Sequence, residues 1–369
     1  MIDRRNFIKT SVITASGIVG LPLTACGGGD SSLDANISPE SDLVAAGSPA
    51  ETSTAPRLFA NFTTSDAYKS NTYIKFNNSL NINESIVIPG LRKTVSADGA
   101  STKMTPQGLC FAGEYILISA YDYDLEKGDK VLNSVIYVIS NTSPSDRKLL
   151  TVISLPTSAH VGGLAFDGDN VWVCDKIGDS GMMSAIKYTE LVSLVKSAPS
   201  RKISKLTAFS VSCPVLTSAA SFASFYDGKL FVGKFNQFDV DDMYGYEVKF
   251  QSTAKPELQK VIKMQVPTQT QGVAFRSDGL MIASTSYGRG NDAVLWFYQP
   301  AWSDPDTNNF VSKKNHVEKL TIPPMSENIL FIGDTAYVLF ESASGFYYDA
   351  DNRNPVDRVL AFNTRDIVK

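Results

Sequence analysis

The chain has 369 residues, of which 43% are hydrophobic and 20% charged, and its formal net charge at pH 7 is −4. Basic and acidic residues are interspersed without a basic stripe, so nucleic acid binding is not expected. After the N-terminal segment, no stretch of about 18 consecutive apolar residues occurs, and the sequence therefore predicts no membrane-spanning helix.

The first predicted element is an export signal. Residues 3–9 contain Arg4 and Arg5 followed by a large apolar residue and a Lys, and they resemble the twin-arginine export consensus. Asp3 stands where that consensus usually has Ser or Thr. Because the twin-arginine route carries folded proteins, we expect the chain to fold before export.

A lipidation motif follows the arginine pair. A weakly apolar stretch over 11–23 runs into residues 23–26, which resemble the lipobox of bacterial lipoproteins, with Cys26 as the residue that is lipidated. The stretch is too short to cross about 30 Å of hydrocarbon. We predict that residues 1–25 are a signal peptide and that lipid on Cys26 anchors the protein to a membrane.

The segment after Cys26 is predicted to be a tether. Residues 26–57 are rich in Gly, Ser, Ala, Thr, Asp and Pro, and such a segment buries too little apolar surface to offset its ordering entropy. Residues 58–369 then form a single domain. Gly27 follows the lipidated Cys and no Asp is found there, which indicates sorting to the outer membrane if the cell has two membranes.

The domain repeats one pattern of four short apolar runs. Each run has a few residues, is rich in β-branched and aromatic side chains, and is separated from the next by turn residues. The first run of each repeat ends in an aligned phenylalanine: Phe111, Phe166, Phe225, Phe275 and Phe331. The fourth run usually closes with a proline: Pro156, Pro214, Pro267 and Pro323. Four antiparallel strands per repeat are typical of a β-propeller blade.

The two ends of the domain predict how the ring closes. The last repeat stops after its third run, residues 358–363, and the missing fourth run occurs at 85–89, before the first repeat. An N-terminal strand that completes the last blade removes two exposed sheet edges. We therefore predict an all-β fold of five four-stranded blades. Residues 71–76 resemble a third strand, which could add an edge strand to a blade or belong to a degenerate sixth blade. A β-sandwich is the other all-β alternative.

The cysteines beyond Cys26 are Cys110, Cys174 and Cys213, all in apolar, strand-like contexts. No pair of them has the spacing of a zinc or redox motif. We predict three small buried hydrophobic residues. A disulfide between Cys110 and Cys174 is the alternative, because exported compartments permit one.

Four short motifs resemble those of a family of bacterial secreted β-propeller lipoproteins: Pro106-Gln107-Gly108, His160-Val161-Gly162-Gly163, Ser286-Tyr287-Gly288-Arg289 and Leu339-Phe340-Glu341-Ser342-Ala343. The resemblance covers roughly residues 104–348 and implies no particular reaction. The third repeat departs from it, with Ser221 and Phe222 where other copies have Gly. The layout is more distantly similar to virginiamycin B lyase and gluconolactonase-type propellers, whose metal-binding residues have no match in this chain.

The loops before the first strand and after the second strand of each blade open at one end of the central channel. Polar residues at these repeated positions should therefore converge into a pocket. The predicted ligand-binding residues are Arg289, Tyr287, Gln107, His160, Gln271 and Glu341. Asp122, Asp175 and Asn236 follow second strands in the same way.

Three of the polar residues are candidates for catalysis: Glu327 and Glu341 as an acid and base pair, and His160. Five-bladed propellers include glycosidases with such carboxylate pairs, which is an analogy of fold only. Two alternatives remain. The Gln and Glu side chains could cap backbone groups between blades, and Arg289 could form a salt bridge with Glu327 or Glu341 instead of binding an oxyanion.

No cofactor is expected from the sequence. The chain has only two His and no carboxylate cluster at ligand spacing, so a transition-metal site is not predicted. Calcium is the one ion left open, because Asp and Glu oxygens with backbone carbonyls suffice for it.

These observations lead to three function hypotheses. The first is an envelope-anchored propeller that binds a small or carbohydrate-like ligand at its funnel. The second is a hydrolase or lyase acting on a carbohydrate or lactone, and the third is a scaffold for another envelope protein. The fold alone does not choose among them.

Overall fold

The computed structural model describes residues 62–123, 132–198, 203–250, 256–300, 302, 315–348 and 354–368. The predicted signal peptide, lipidation site and tether lie outside these residues. Within the described ranges, no helix is long and apolar enough to cross a membrane.

An N-terminal segment precedes the blades. It contains short 3₁₀ turns at Phe62–Thr64, Asn71–Tyr73 and Ile82–Glu84, and two short helices, α1 (Asp66–Lys69) and α2 (Ile74–Ser79). Three strands follow: β1 (Ile86–Val87), β2 (Thr94–Ser96) and β3 (Gly99–Ser101). Strands β2 and β3 pair with each other as a separate hairpin.

Five antiparallel four-stranded sheets form the blades of a β-propeller, which confirms the predicted fold. Blade 1 comprises β4 (Thr105–Ala112), β5 (Tyr115–Tyr121), β6 (Val135–Ser140) and β7 (Leu149–Ser154). Blade 2 comprises β8 (Leu164–Phe166), β9 (Asn170–Ile177), β10 (Ser180–Lys187) and β12 (Val211–Pro214). Blade 3 comprises β13 (Phe222–Tyr226), β14 (Lys229–Gly233), β15 (Asp241–Phe250) and β16 (Pro256–Val266). Blade 4 comprises β17 (Thr270–Phe275), β18 (Met281–Thr285), β19 (Ala293–Tyr298) and β20 (Glu318–Ile322). Blade 5 comprises β21 (Ser326–Ile332), β22 (Thr335–Phe340), β23 (Arg358–Asn363) and β1.

The ring closes as predicted, through the N-terminal strand. In the β1–β23 pairing, Ile86 lies opposite Val359 and Val87 opposite Arg358. Ile86 is buried between blades 5 and 1. Burying a side chain of this size stabilises the fold by about 1.5–3 kcal/mol, so the clasp contributes apolar burial as well as backbone hydrogen bonds.

The hydrophobic core is divided into five clusters, one between each pair of neighbouring blades. Within β5, Ile116 and Ile118 face blade 5 while Leu117 faces blade 2. Each blade is therefore buried on both faces, which explains why its strands read as continuous apolar runs in the sequence.

The prediction of a strand at 71–76 is wrong, and with it the sixth blade. Tyr73 and Phe76 are buried three positions apart, while Ile74 is 55% exposed between them. That spacing belongs to a helix rather than a strand. The Ser65 side chain accepts a hydrogen bond from the Tyr68 backbone N–H and begins α1. Phe62 and Phe76 then pack into the cluster between blades 4 and 5.

Two additions to the blades were not predicted. Helix α3 (Tyr188–Ser197) follows β10 and buries Leu191 in the cluster between blades 1 and 2. Strand β11 (Ile203–Lys205) pairs in parallel with β7 and gives blade 1 a fifth strand. The helix contacts β10 of blade 2 and strands β7 and β11 of blade 1.

The three described cysteines are buried and free, so the disulfide alternative is wrong. Cys110 lies in the cluster between blades 1 and 2, whereas Cys174 and Cys213 lie in the cluster between blades 2 and 3. Desolvation by burial raises the pKa of the Cys110 and Cys174 thiols, which keeps both in the unreactive neutral form.

Glycine at the start of the inner strands lets neighbouring blades approach closely. A Cβ atom on Gly163 would lie 2.4 Å from the backbone nitrogen of Ala223 in blade 3. A Cβ atom on Gly272 would lie 2.8 Å from the backbone oxygen of Glu327 in blade 5. Both neighbours are backbone atoms, which cannot move aside without displacing a whole strand.

We predict that Gly163→Ala lowers the free energy of unfolding by about 1–3 kcal/mol, because the added methyl group separates blades 2 and 3. Gly290→Ala is the matched control, since no atom lies within 4 Å of its added Cβ. Urea denaturation of both variants measures the difference. Equal midpoints for the two variants would contradict the close packing of the inner strands.

Candidate functional site

The first strands of the blades are aligned side by side, so they all begin at the same end of the channel. Gly108 packs against Gly163 of the next blade, and Gly272 packs against Asn328, at equivalent positions of the repeat. Within blades, Thr105 at the start of β4 pairs with Tyr121 at the end of β5. We call this end, where first strands begin and second strands end, the mouth.

Three of the five first strands have a β-bulge at the mouth. The extra residue is Gln107 in β4 and Gln271 in β17, and it falls at Glu327 and Asn328 in β21. A bulge re-aims a side chain and is over-represented beside functional sites. The exposed fractions of Gln107, Gln271 and Glu327 are 0%, 5% and 2%, so all three predicted site residues are held inside the protein at one level.

Gln107 connects the first and last blades. Its Nε2 donates a hydrogen bond to Oε2 of Glu341 over 2.6 Å and another to the Pro106 carbonyl oxygen over 2.9 Å. Glu341 directly follows β22, and its own backbone N–H donates to the Met325 oxygen. A charge-assisted bond of this kind is about twice as strong as a neutral one. It thus fixes the Glu341 carboxylate across the boundary where the ring closes.

Gln271 makes a hydrogen bond within its own blade. Its Nε2 donates to the backbone oxygen of Ser286 over 3.2 Å, just beyond the end of β18. This contact is of the kind that the backbone-capping alternative expects. Each glutamine is therefore the extra residue of a bulge, but Gln107 bonds to a carboxylate of another blade and Gln271 bonds to a backbone oxygen of its own blade.

Aromatic side chains of the mouth loops and strand ends pair across the blade boundaries. We call the following residues the aromatic belt: Tyr121, Tyr123, His160, Phe235, Tyr287, Phe346 and Tyr347. Tyr121 and His160 join blades 1 and 2 with ring centroids 4.1 Å apart, and Tyr123 meets Phe346 of blade 5 at 5.4 Å. Phe235 of blade 3 stacks on Tyr287 of blade 4 at 6.2 Å. The belt includes side chains from all five blades.

Arg289 lies in the belt. Its guanidinium carbon is 5.5 Å from the ring centroid of Tyr347, a cation–π distance, and Phe346 packs edge-on against the same tyrosine. The loop that carries Arg289 belongs to blade 4 and the loop that carries Tyr347 to blade 5. The predicted binding residues Tyr287 and Arg289 thus reach the mouth from one loop.

The other polar residues near the ends of second strands accept hydrogen bonds from neighbouring protein groups. Asp175 accepts hydrogen bonds from the Thr157 and Ser184 hydroxyl groups. The Asn236 Oδ1 accepts from two backbone N–H groups of its loop. Asp122 accepts from the hydroxyl group of Ser101, at the end of the β2–β3 hairpin, which therefore packs against the mouth side of blade 1.

Unfavourable backbone conformations also occur at the mouth. Val161, Gln269 and Met325 have φ values of 48°, 65° and 63°, and each lies just before a first strand. For a β-branched residue such as Val161 this region is a true outlier, and such strain clusters at binding and catalytic sites. The Ser119 hydroxyl group donates to the Val161 oxygen and holds the turn that presents His160. The sequence carries no signal for this, because valine disfavours the conformation.

Tyr73 is a site-supporting residue that sequence reasoning missed. It is buried, its hydroxyl group donates to Asp292 Oδ1 over 2.6 Å, and the hydroxyl oxygen accepts from Asn354 Nδ2 over 3.0 Å. Asp292 lies on the loop that carries Arg289, and Asn354 lies on the loop that leads from Tyr347 to β23. One N-terminal side chain therefore fixes two mouth loops.

Among the residues that the structure describes, no group of three or more His, Cys, Asp or Glu side chains could hold a metal ion. The calcium ion left open by the sequence stays a prediction.

No protein-family model matches the sequence, and no curated protein matches it significantly. Solved structures similar to the chain include the glutaminyl cyclase of Myxococcus xanthus, with 10% identity, a TM-score of 0.42, and coverage of 77% of this chain and 97% of that one. The PQQ-bound aldose sugar dehydrogenase of Streptomyces coelicolor has 12% identity, a TM-score of 0.41, and coverage of 70% and 94%. The β-propeller domain of Cps50 (Swd1) from Myceliophteria thermophila has 12% identity, a TM-score of 0.33, and coverage of 70% and 83%. Likeness at this level concerns the fold and not the chemistry.

We predict that Tyr73→Phe increases hydrogen exchange of the amides in residues 286–292 and 354–357, because it removes two hydrogen bonds of about 1 kcal/mol each and leaves the ring in place. Tyr68→Phe in α1 is the matched control. Mass spectrometry after timed exchange measures both variants. Unchanged exchange in the two loops would show that Tyr73 does not hold them.

Proposed function

We propose that this protein is a lipid-anchored propeller of the bacterial envelope that binds a small, hydroxyl-rich, carbohydrate-like ligand at the mouth of its channel. The observation that carries the proposal is the set of three bulges, which puts Gln107, Gln271 and Glu327 at equivalent positions of three first strands. Binding pockets combine largely apolar or aromatic walls with a few well-placed polar groups.

The chemistry of the mouth suits a sugar ring. A pyranose presents apolar C–H faces, which pack on aromatic rings, and an edge of hydroxyl groups, which need both donors and acceptors. The belt supplies the rings, and the amides of Gln107 and Gln271 with the carboxylates of Glu327 and Glu341 supply the hydrogen-bonding groups. Fixed backbone and side-chain contacts at Gln107 and Val161 support a site that is already organised before a ligand binds.

A hydrolase or lyase at the same mouth is the second candidate. It is favoured by the burial of both Glu327 and Glu341, since buried carboxylates at one site can act as acid and base. A binder leaves its ligand intact, whereas an enzyme consumes it, so one assay separates the two.

We expect a sugar, sugar acid or lactone from a screening panel to raise the melting temperature of the full-length chain, because a ligand bound only to the folded state stabilises it by about 2.7 kcal/mol at a hundred times its Kd. Arg289→Ala should lose most of this shift. Arg365→Ala is the matched control, since Arg365 is exposed and pairs with Asp334 at the opposite end of the propeller.

Two results would redirect the proposal. Ligand that is chemically converted during incubation would favour the hydrolase or lyase. No shift with any ligand would contradict small-ligand binding and would favour a scaffold for an envelope protein.

The export and anchoring part of the proposal rests on Arg4, Arg5 and Cys26. We expect Cys26→Ala to move the protein from the membrane fraction to the soluble fraction of the envelope, because the lipid on Cys26 is the proposed membrane attachment and the variant lacks it. Immunoblotting of separated fractions, with Cys213→Ala as the control, measures the change. A Cys26→Ala protein that stays with the membrane would contradict the lipid anchor.

A further inference from the structure

The chain joins the propeller at the mouth end. Phe62 is the first described residue, and its ring centroid lies 5.6 Å from the guanidinium carbon of Arg358. Arg358 begins β23, which runs antiparallel to β22, and β22 ends at the mouth. A little further along the chain, Tyr73 contacts two mouth loops through Asp292 and Asn354. The segment that precedes Phe62 is therefore attached on the mouth side of blades 4 and 5.

The proposed lipid anchor is close to this attachment point along the chain. Cys26 and Phe62 are 36 positions apart. A Gly- and Ser-rich chain of that length has an r.m.s. end-to-end distance of about 30–36 Å. Because the tether joins the domain at the mouth end, a reach of this size keeps the mouth, rather than the opposite end, nearest to the membrane.

Large apolar side chains are exposed mainly at the same end. Among the described residues, eight such side chains are 39–68% exposed, and five of these lie on mouth loops or at strand ends of the mouth. Val317 and Ile332 lie at the opposite end, where β20 begins and β21 ends. Exposed apolar side chains gathered on one face mark an interaction surface. We call the five at the mouth the apolar rim: Ile177, Leu216, Phe238, Val240 and Tyr348.

The charged side chains beside the rim indicate which kind of surface it meets. In the β9–β10 turn, Lys176 Nζ lies 3.5 Å from Asp179 Oδ1, and in the β14–β15 loop Lys234 Nζ lies 3.0 Å from Asp241 Oδ2. Lys176 and Lys234 are the basic residues of these two segments, 176–181 and 234–241. Recognition of anionic headgroups uses clusters of several basic residues. The rim therefore fits the apolar layer of a lipid surface rather than its headgroup charge.

We infer that the mouth end of the propeller docks on the membrane surface, with the apolar rim inserted at the boundary between headgroups and acyl chains. The inference rests on the proposed lipid anchor, which holds the protein at the membrane, and adds the face that the protein turns towards it. Five separate side chains bury far less apolar surface than an amphipathic helix does, so the rim orients an anchored protein and does not replace the anchor. The channel mouth then opens towards the bilayer.

Fluorescence quenching by brominated lipids tests this in the lipidated full-length chain, reconstituted in vesicles of phosphatidylethanolamine and phosphatidylglycerol. Phe238→Trp places a fluorophore in the rim, and Ile332→Trp is the matched control at the opposite end. The two side chains are 68% and 47% exposed, so neither change disturbs the core, and the three native tryptophans are common to both variants. Brominated lipid should quench Phe238→Trp at least about twofold more than Ile332→Trp, because apolar side chains of interfacial segments lie about 5–10 Å deep.

Flotation of the same vesicles measures the lipid anchor separately from the docking. Protein that floats with the vesicles but shows equal quenching of the two variants would overturn the docking surface and leave the anchor intact. Stronger quenching of Ile332→Trp would also overturn it, because the opposite end would then face the membrane. Protein that does not float would count against the anchor and would overturn the docking that rests on it.

Discussion

Inner strands of neighbouring blades lie so close together that Gly163, facing blade 3, and Gly272, facing blade 5, leave no room for a Cβ atom. This close approach brings the faces of these blades against each other. The hydrophobic core follows from it, as five clusters that each belong to two blades. No blade can bury its faces alone, so the stability of each sheet depends on closure of the whole ring.

The boundary between blades 1 and 5 contains both the contacts that close the ring and part of the candidate binding site. The N-terminal strand joins the ends of the chain there through backbone hydrogen bonds, and Gln107 joins them again at the mouth through Glu341. The polar link places a carboxylate and an amide oxygen inside the protein beside the aromatic belt. A contact that completes the ring therefore also organises the candidate binding site, and Val161, Gln269 and Met325 adopt unfavourable backbone conformations at its rim.

The wrong prediction at 71–76 arose because its residue pattern is compatible with both a strand and a helix. Residues 71–76 combine aromatic and β-branched side chains, which suggested a strand, but Tyr73 and Phe76 are buried at helical spacing against blades 4 and 5. The β2–β3 hairpin and β11 were not predicted because both lie outside the four-run repeat. The hairpin is a separate two-stranded sheet, and β11 adds a fifth strand to blade 1. Gln107, Gln271 and Glu327 were found because the repeat aligned them, while Tyr73 was missed because it lies before the first repeat.

The sequence by itself determined the four-strand repeat, its five copies and the strand that closes the ring, because period, turn residues and repetition are local properties of a chain. It also identified the loop ends that meet at the mouth. Only the tertiary structure decided which of their side chains touch. The bulges, the Gln107–Glu341 contact and the aromatic pairs between blades join residues that are far apart in the chain, and they arise from the packing distance between strands that no local pattern encodes.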